Sequence, residues 1–417
     1  MTGGGAASAT VAEFGPLNAP LPVNTRVYRL VSLDMVRGLV MVIMALDHVR
    51  DFFHAGAAQD PAADPNVGLA LFLTRWITHF CAPAFVCLAG VSAGLMTARK
   101  TPASLGAFLL KRGLWLIAIE WLVIATSSSF APWGIAEIQG LVLTPFQVLW
   151  AIGSSMIVLA GAQFLGRRAC LALGAAILLG HNLLDPIWPM PQSVFDTSPP
   201  LWVALHAQMA VVVGPFFVGV VYPMLPWAGL MMFGFGCAGV IERPPGERER
   251  ALFHWGVAFT LAFVALRVVG VYGDPNPWMV QARGAAATAI DFLNTTKYPP
   301  SLLFLLMTLG PAALLAASWA RVPGAVRDVL VIYGRAPFAF YVAHFYLIHT
   351  LSVALGVAQG FTVGQMMTFM AFYPKGYGLS LPLVYVVWLI VVASLYPLVR
   401  FVSAMKARRT DWWLSYF

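Results

Sequence analysis

Long apolar runs alternate with short polar connections along almost the whole chain. Ten of these runs approach the roughly 20 helical residues that are needed to cross about 30 Å of hydrocarbon. Because only helices and closed barrels satisfy their backbone groups in lipid, the pattern predicts an all-α, polytopic membrane bundle of about ten transmembrane helices. The predicted spans are about residues 33–53, 76–97, 108–128, 143–165, 169–185, 217–241, 252–273, 302–320, 336–357 and 381–403.

Two shorter patterns qualify this picture. The stretch HAQMAVVVGPFFVG at 206–219 is interpreted as a re-entrant or interfacial segment, or as the start of a long helix broken by Pro215, Pro223 and Pro226. The stretch GVSAG at 90–94 has small residues at the spacing that is typical of close helix packing. We therefore assign it a packing role rather than a chemical one.

Lysine and arginine concentrate in every second connection between the predicted spans. Cytoplasmic loops of membrane proteins carry such an excess, so the alternation predicts that both termini are cytoplasmic. The predicted divisions are a flexible cytoplasmic tail over 1–28, a transmembrane domain over 29–405 and a second cytoplasmic tail over 406–417. The cations that set this orientation are Arg99, Lys100, Lys111, Arg112, Arg167, Arg168, Arg243, Arg248, Arg250, Arg321, Arg327, Lys406, Arg408 and Arg409.

Composition supports a membrane protein and narrows its partners. The 417 residues are 60% hydrophobic and only 10% charged, whereas soluble domains are about a quarter charged. The formal net charge of +8 is explained by the cytoplasmic loops, and no basic block with interleaved aromatics indicates nucleic-acid binding. The four cysteines have no CxxC spacing, so neither disulfides nor a metal cluster is expected. The lipid bilayer is the predicted environment.

The first predicted span, SLDMVRGLVMVIMALDHVRDFFH, is unusually rich in ionisable residues. At 100° per residue, Arg37 and His48 lie on one stripe of the helix, about 16 Å apart along its axis. Asp34 can neutralise Arg37, and Asp51 is one turn from His48, where a carboxylate can orient an imidazole as a general base. The alternatives are a structural ion pair for Asp34 and Arg37 and a solvent-wetted helix end for His48.

Other ionisable residues also fall within or beside the predicted spans. Ionisable groups in lipid are costly and are candidates for function by default, and the histidines near one predicted outer depth suggest a polar cavity that opens outward. A structural hydrogen bond is the alternative for His79 at a helix end and for Glu120 at mid-membrane depth. The histidines in question are His48, His54, His79, His181 and His206, with His344 and His349 inside the ninth span.

Four sequence motifs, taken in their order along the chain, resemble those of a known protein family. They are RLVSLDMVRGLVMVIMALDHVRDFFH, FLTRWITHFCAPAFVCLAGVSAGL, LNTTKYPPSLLFLLMTLGP and GRAPFAFYVAH. From residue 29 to about 350 the chain resembles bacterial membrane proteins related to the catalytic domain of heparan-alpha-glucosaminide N-acetyltransferase. The resemblance implies a transmembrane acyltransferase of the bacterial cytoplasmic (inner) membrane, with acyl-CoA bound from the cytoplasm and the acceptor on the outer face. The matched motif positions are Asp34, Arg37, Gly38, Gly334, Tyr341 and His344.

The resemblance leaves the catalytic base open between two histidines. In the resemblance, the lysosomal enzyme has Asn at the position of His48. Its active histidine lies in the first lumenal loop, and the nearest counterpart in this chain is His54. The spacing to Arg37 and the neighbouring Asp51 favour His48. The Arg37-to-His48 interval also resembles the first helix of other transmembrane acyltransferases.

The resulting hypothesis is an acyl transfer across the membrane. Acetyl-CoA or another acyl-CoA is the expected donor, no metal is expected, and the acceptor is a sugar or another small amine or hydroxyl compound. A direct transfer and an acyl-histidine intermediate both remain open. The catalytic candidates are His48, Asp47, Asp51, His54 and His79, and an amide or hydroxyl donor near His79 or Tyr341 would have to stabilise the oxyanion. The candidates for substrate or cofactor binding are Asp34, Arg37, Arg50, Lys111, Arg112, Glu120, Arg335, Tyr341 and His344.

Two other classes of function compete with this hypothesis. A secondary transporter or lipid-linked exporter would use Asp47 and Glu120 as titrating groups, and broken helices around Pro215, Pro223 and Pro226 are the feature in its favour. The lack of an internal repeat and the clustering of histidines count against it. A membrane scaffold without turnover would not need the ionisable residues of the first span. The oligomeric state stays open, with a homodimer as one option.

Overall fold

The computed structural model describes residues 25–56, 64, 66–187, 200–409, 411 and 414, and it is mostly helical. Most of the predicted N-terminal tail and part of the C-terminal tail lie outside these residues. The helices are α1 (Thr25–Phe53), α2 (Leu69–Thr78), α3 (Cys81–Met96), α4 (Pro102–Ile119), α5 (Ala125–Ser129), α6 (Val148–Ala162), α7 (Arg167–Gly180), α8 (Pro200–Leu205), α9 (Met224–Ile241), α10 (Pro245–Val269), α11 (Ala285–Leu293), α12 (Leu302–Ala317), α13 (Gly324–Arg335), α14 (Pro337–Ala358), α15 (Val363–Met366) and α16 (Leu381–Arg408).

The prediction of a helical membrane bundle is confirmed. Within the described part of the chain, six helical segments are long and apolar enough to cross a membrane, and α12 is a shorter apolar helix. Each of the ten predicted spans contains a helix, although the ends differ by several residues. The count of ten crossings and the cytoplasmic position of the termini stay predictions. The six segments are Leu69–Met96, Val148–Leu165, Met224–Ile241, Pro245–Val269, Pro337–Ala358 and Leu381–Arg408.

A small β-sheet interrupts the helical pattern, and the sequence analysis missed it. Strand β1 (Val142–Phe146) pairs in parallel with β3 (Phe216–Val220), which pairs antiparallel with β2 (Met209–Val213). The interpretation of 206–219 as the start of a broken helix is therefore wrong. Short runs of valine and phenylalanine on either side of Gly214 form a hairpin, and Gly214 takes the positive φ of 56° that its turn needs.

The prolines of this region do not create a mid-membrane break. Pro215 lies between the two strands of the hairpin, Pro223 is the N-cap of α9, and Pro226 lies in its first turn. Proline is tolerated at these positions because the first helical N–H groups have no intrahelical partner. The feature that favoured a transporter is therefore a strand turn and a helix start.

Glycine allows α1 to pack directly against the backbone of α13. A Cβ added to Gly38 would lie 1.7 Å from the carbonyl oxygen of Leu330, and one added to Gly334 would lie 1.7 Å from the carbonyl oxygen of Asp34. The GVSAG stretch acts in the same way between α3 and α9, where a Cβ on Gly90 would lie 2.1 Å from a carbonyl oxygen of α9. The packing role that was assigned to this stretch is confirmed.

Two irregular turns position polar residues inside the bundle. Helices α2 and α3 follow each other with a turn at His79 and Phe80 between them. Helix α4 continues into α5 through one π-helical turn, Glu120–Ile124, which begins with the fully buried Glu120. Such turns are frequent at functional sites, because they re-aim side chains without ending the helix.

Candidate functional site

Two cavities lie at opposite ends of α1. The first, which we call the basic cavity, has a volume of about 690 Å³ and lies where α1, α4, the α13–α14 junction and the end of α16 meet. Much of the rest of its lining is apolar. Four cations and one carboxyl group line it, so it is suited to a ligand that combines anionic groups with an apolar portion. These residues are Arg37, Arg112, Arg335, Lys406 and Asp34.

Arg37 joins three helices at the basic cavity. Its Nη1 donates to Asp34 Oδ1 at 3.1 Å and to the carbonyl oxygen of Gly334 at 3.4 Å, and its Nη2 donates to Ser92 Oγ at 3.2 Å. The ion pair of Asp34 and Arg37 that the sequence suggested is therefore present. Arg335 also approaches this carboxyl group, with 3.5 Å between its Nε and Asp34 Oδ2.

Lys111 and Arg112, two predicted cofactor-binding residues in the middle of α4, take different positions in the structure. Arg112 lines the basic cavity, whereas Lys111 is exposed and is not part of its lining. Adjacent residues on a helix point about 100° apart, so only one of the two can face a given cavity. Lys406, at the end of α16, faces the cavity instead and donates from Nζ to the carbonyl oxygen of Arg335 at 2.8 Å.

The second cavity, which we call the His48 cavity, has a volume of about 360 Å³ and lies at the other end of α1. The imidazole of His48 lines it, with its ring centroid 4.3 Å from that of Phe345 and 5.2 Å from that of His344. Nδ1 of His48 is buried and has no hydrogen-bond partner among the described residues. The ring is thus held by aromatic packing at the cavity wall.

Asp47 is fixed by three donors. Its carboxyl oxygens accept from Arg75 Nη1 at 2.9 and 3.1 Å and from Thr78 Oγ1 at 2.8 Å, and Arg50 Nη2 lies 3.0 Å from Oδ1. Arg75 and Thr78 belong to α2, whereas Asp47 and Arg50 belong to α1. The carboxyl group therefore ties the two helices together at the His48 cavity.

In the described part of the chain, Asp51 does not form the contact with His48 that the sequence predicted. Asp51 contacts Arg50 Nη2 through Oδ1, and within the described residues neither Asp47 nor Asp51 forms a hydrogen bond with His48. Arg50 lies between the two acidic residues in sequence and attracts both, because a charge-assisted contact to a guanidinium outweighs one to a neutral imidazole.

Lys297 is a functional candidate that the sequence analysis missed. It is only 9% exposed, and its side chain lines the His48 cavity and an adjoining pocket of about 310 Å³, which we call the loop pocket. Its Nζ lies 5.0 Å from the ring centroid of Tyr298 and forms no ion pair with a described carboxyl group. The signal was present in the quoted motif LNTTKYPP, where Lys297 is the one charged residue.

Two buried charges hold the loop that carries Lys297. Asp274 accepts from the backbone N–H of Thr296 at 2.8 Å and from Ser301 Oγ at 2.6 Å. Arg267 is 2% exposed and donates to four carbonyl oxygens at 2.7–3.0 Å. These donors and acceptors replace the backbone partners that an irregular loop lacks, so the position of Lys297 is well defined. The four carbonyl groups belong to Asn276, Asp291, Phe292 and Asn294.

The other candidate histidines occupy different places. His79 is buried against the ring of Phe304 and lines the loop pocket rather than the His48 cavity. His54 lies beyond both cavities, where its Nδ1 accepts from the backbone N–H of Gly56 at 3.1 Å. Partial burial, together with the nearby Arg50, lowers the pKa of His54. Of the two histidines that the sequence left open, His48 lines a cavity and His54 lines neither of the two on α1.

Helix α14 supplies two further polar groups. Tyr341 lines the His48 cavity, and its hydroxyl is buried without a described hydrogen-bond partner. His344 is fully buried behind His48, with Nδ1 3.1 Å from the carbonyl oxygen of Phe340. Its Nε2 also has no partner in the described part of the chain. Tyr341 is thus placed to meet a ligand, whereas His344 supports the ring of His48.

A comparison with known families supplies the identification. A family model described as heparan-alpha-glucosaminide N-acetyltransferase, catalytic, matches residues 29–272, which is more than half of the 417 residues. The chain belongs to this family. No curated protein matches the chain at a significant level. The match includes Arg37, His48 and Asp47 but ends before Lys297 and Tyr341.

Membership in this acetyltransferase family and the apolar helices together identify an integral membrane protein of the acetyltransferase type. Within the described ranges, no group of three or more His, Cys, Asp or Glu side chains is arranged to hold a metal ion.

In this acetyltransferase fold, the side chain of Glu120 binds the backbone at the start of α6. Its Oε2 accepts from the backbone N–H groups of Leu149 at 2.8 Å and Trp150 at 3.2 Å, and Oε1 accepts from that of Gln147 at 3.2 Å. These N–H groups belong to the start of α6, where no intrahelical partner exists. A carboxyl group at a helix N-terminus is also favoured by the helix dipole. Glu120 therefore caps α6 from the neighbouring helix.

We expect Glu120→Leu to lower the free energy of unfolding by about 3 kcal/mol, because it leaves buried N–H groups without partners. The thermal unfolding midpoint in detergent measures the loss. Glu120→Gln, which keeps one acceptor oxygen, is the matched control and should retain most of the stability. If Glu120→Gln folded normally but raised the KM for acetyl-CoA more than tenfold, Glu120 would be a donor-binding residue instead.

Proposed function

We propose that this protein is a transmembrane acyltransferase that moves an acetyl group from acyl-CoA to an amine or hydroxyl acceptor on the opposite side of the membrane, with His48 as general base. The observation that carries the proposal is the pair of cavities on α1, a basic one at Arg37 and a second one at His48. Phe85 contributes to the lining of both, so the two cavities are neighbours inside the bundle.

The basic cavity is the site for the donor. Arg112, Arg335 and Lys406 supply positive charge for the phosphates of acyl-CoA, and much of the remaining wall is apolar. Arg37 and His48 are separated by about 16 Å along the helix axis, and an extended pantetheine arm of about 20 Å reaches that far. The thioester carbonyl would then lie beside His48 while the nucleotide stays at the basic end.

The His48 cavity is the site for the acceptor, which we propose to be a sugar. The acceptor enters through the loop pocket, whose lining includes Asn276, Thr295 and Thr296 together with Lys297. Hydroxyl and amide side chains of this kind can exchange hydrogen bonds with a polyhydroxylated ligand. Because this pocket adjoins the His48 cavity, the acceptor can approach from the side opposite to the donor.

Side chains of the His48 cavity can carry out each step of the acyl transfer. His48 accepts a proton from the acceptor as its nitrogen or oxygen attacks the thioester carbonyl carbon, and negative charge develops on the carbonyl oxygen. Lys297 stabilises that charge, with Tyr341 as a second donor near the cavity wall. The carbon–sulfur bond then breaks, and the CoA thiolate takes the proton from the imidazolium. Attack by His48 itself, through an acyl-histidine, is a second route to the same products.

The cations of the basic cavity indicate the side of the membrane from which the donor binds. The basic cavity collects cations from the connections that the sequence places in the cytoplasm, so the donor side is the cytoplasmic side. We propose a bacterial cytoplasmic membrane as the location and residues 29–405 as the acyltransferase domain. A transporter is less well supported, because Asp47 is bound by two guanidinium groups and Glu120 caps a helix, so neither is available to titrate with a moving substrate.

Radiolabelled acetyl-CoA offered to the purified protein tests the proposal. An acyltransferase moves the label to an amino sugar such as glucosamine, or releases it slowly as acetate, whereas a transporter or scaffold leaves the thioester intact. The assay uses a panel of neutral amino sugars and hydroxylated acceptors. Intact acetyl-CoA in the presence of the whole panel and with no acetate released would contradict the proposed activity.

We expect Lys297→Met to lower kcat by about 100-fold with little change in the KM for acetyl-CoA, because a charge that acts on the developing oxyanion contributes mainly to the transition state. Steady-state kinetics with a fixed acceptor measure both parameters. Lys297→Arg should recover part of the rate. Lys375→Met, at an exposed lysine outside both cavities, is the control. A normal kcat in Lys297→Met would remove this residue from the mechanism.

A further inference from the structure

Phe85 on α3 stands at the boundary between the two cavities. Its partly buried side chain lines both the basic cavity and the His48 cavity. On α1, Met41 lines the first cavity and Met44 the second, one turn further along. On α6, the adjacent residues Leu149 and Val148 line the first and the second in the same way. The boundary is therefore apolar and about one side chain thick.

We propose that Phe85 is the specificity-determining residue of the passage, past which the acyl thioester must slide to reach His48, and that its ring restricts both the length of the acyl group and the entry of water. This inference rests on the proposed acyltransferase function. An acetyl group adds one methyl to the thioester carbonyl, whereas a longer acyl chain must find space beside the ring or beyond it. The ring thereby selects a short acyl group.

The same ring protects the thioester from hydrolysis. In that side reaction the oxygen of water attacks the carbonyl carbon, the carbon–sulfur bond breaks, and acetate and the CoA thiol are released. His48 could accept the proton of this water as readily as that of the acceptor, so the enzyme gains from keeping the bound thioester dry until an acceptor is present. A single aromatic side chain between the basic cavity and the base achieves this.

Kinetics of Phe85 variants test the specificity. In Phe85→Ala we expect hydrolysis of acetyl-CoA without an acceptor to rise at least tenfold, and the ratio of hexanoyl to acetyl transfer to rise by a similar factor. Phe85→Trp should lower acetyl transfer. The control is Phe80→Ala, a partly buried phenylalanine five residues earlier that packs against Trp76 and lines neither cavity. Equal hydrolysis and equal acyl preference in Phe85→Ala and Phe80→Ala would overturn the proposal.

A second measurement does not depend on acyl transfer. Cys81 lines the His48 cavity but not the basic cavity, so it reports entry through the boundary. A membrane-impermeant methanethiosulfonate reagent is applied to inverted vesicles and to spheroplasts, which expose the two faces in turn, and mass spectrometry quantifies the Cys81 peptide. From the face that carries Arg335, labelling of Cys81 should increase at least tenfold in Phe85→Ala over wild type.

The two measurements separate the two claims. If wild-type protein leaves acetyl-CoA intact but Phe85→Ala opens Cys81 to the reagent, the acyltransferase proposal fails and the boundary at Phe85 stands. If Cys81 is labelled equally in both proteins, or in neither, Phe85 does not close the passage and this inference fails. Phe85→Leu, a milder change, replaces Phe85→Ala in both experiments if the alanine variant does not fold.

Discussion

Replacing His48 with glutamine is expected to lower acyl transfer by about 10²- to 10⁴-fold while the protein still inserts and folds. General-base catalysis contributes about this factor, and glutamine keeps much of the size of the imidazole without its basicity. The packing against Phe345 and His344 should survive, because no described hydrogen bond of His48 is lost. Transfer of labelled acetyl groups by purified protein, normalised to the folded fraction from size-exclusion chromatography, measures the effect.

His54→Gln is the matched control for this prediction. His54 follows α1 directly and was the rival candidate for the base, yet it lies outside both cavities. We expect its transfer rate to stay within about twofold of wild type, since its side chain lines neither cavity and changes such as this one usually cost little stability. A well-folded His48→Gln protein with wild-type turnover, or a loss of transfer that appears only in His54→Gln, would show that the base has been misassigned.

Substituting alanine at Gly38 is expected to have the largest effect on stability. The added Cβ would lie 1.7 Å from the carbonyl oxygen of Leu330, which is far inside the contact distance of two atoms. Since the obstacle is backbone, no side-chain rotation can relieve the overlap, and α1 must separate from α13. Overpacking commonly costs about 1–3 kcal/mol and occasionally more, and we expect at least the upper end of that range here.

The thermal unfolding midpoint and the yield of folded protein in detergent measure this change. Gly334→Ala should behave in the same way, because its Cβ would lie 1.7 Å from the carbonyl oxygen of Asp34 on the facing helix. Gly239→Ala is the control, since it lies inside α9 with no atom within 4 Å of an added Cβ and should be neutral or slightly stabilising. Normal stability of Gly38→Ala would contradict this close packing of α1 and α13.

The helical bundle could be predicted from the sequence because its signal is carried by long segments. Lipid demands about 20 apolar residues in a helix, and each of the ten predicted segments contains a helix, although several of these helices are shorter. The sheet could not be predicted in the same way. Strands β2 and β3 have only five residues each, and a window of helical length merges them with the apolar start of α9.

The candidate site could be predicted only in part, because spacing on one helix does not reveal competing partners. Arg37 and His48, which the sequence placed on one stripe of α1, line one cavity each. The predicted contact between Asp51 and His48 is not formed, since Arg50 lies between them in sequence and binds the Asp51 carboxyl group instead. Helical proximity identifies the residues that can meet, but the local balance of charge decides which contact forms.

Residues brought in from distant segments were the hardest to find. Lys297 is 249 positions from His48 along the chain, and its role depends on a loop that Arg267 and Asp274 hold in place. No periodicity describes such a loop. Glu120 could be recognised as costly at its depth, but the start of α6 that it caps is more than 25 residues away. Long-range polar contacts of this kind become visible only once the fold is known.

The arrangement around Asp47 affects how variant screens of this protein should be interpreted. One carboxyl group holds two guanidinium groups, Arg50 on α1 and Arg75 on α2. Removing it would leave the two guanidinium groups close together with only Asp51 still at Arg50, and breaking such a buried pair costs about 3–5 kcal/mol. An Asp47 variant can therefore lose activity because the protein is misfolded and not because a catalytic group is missing. Only the activity per correctly folded molecule can show whether Asp47 takes part in catalysis.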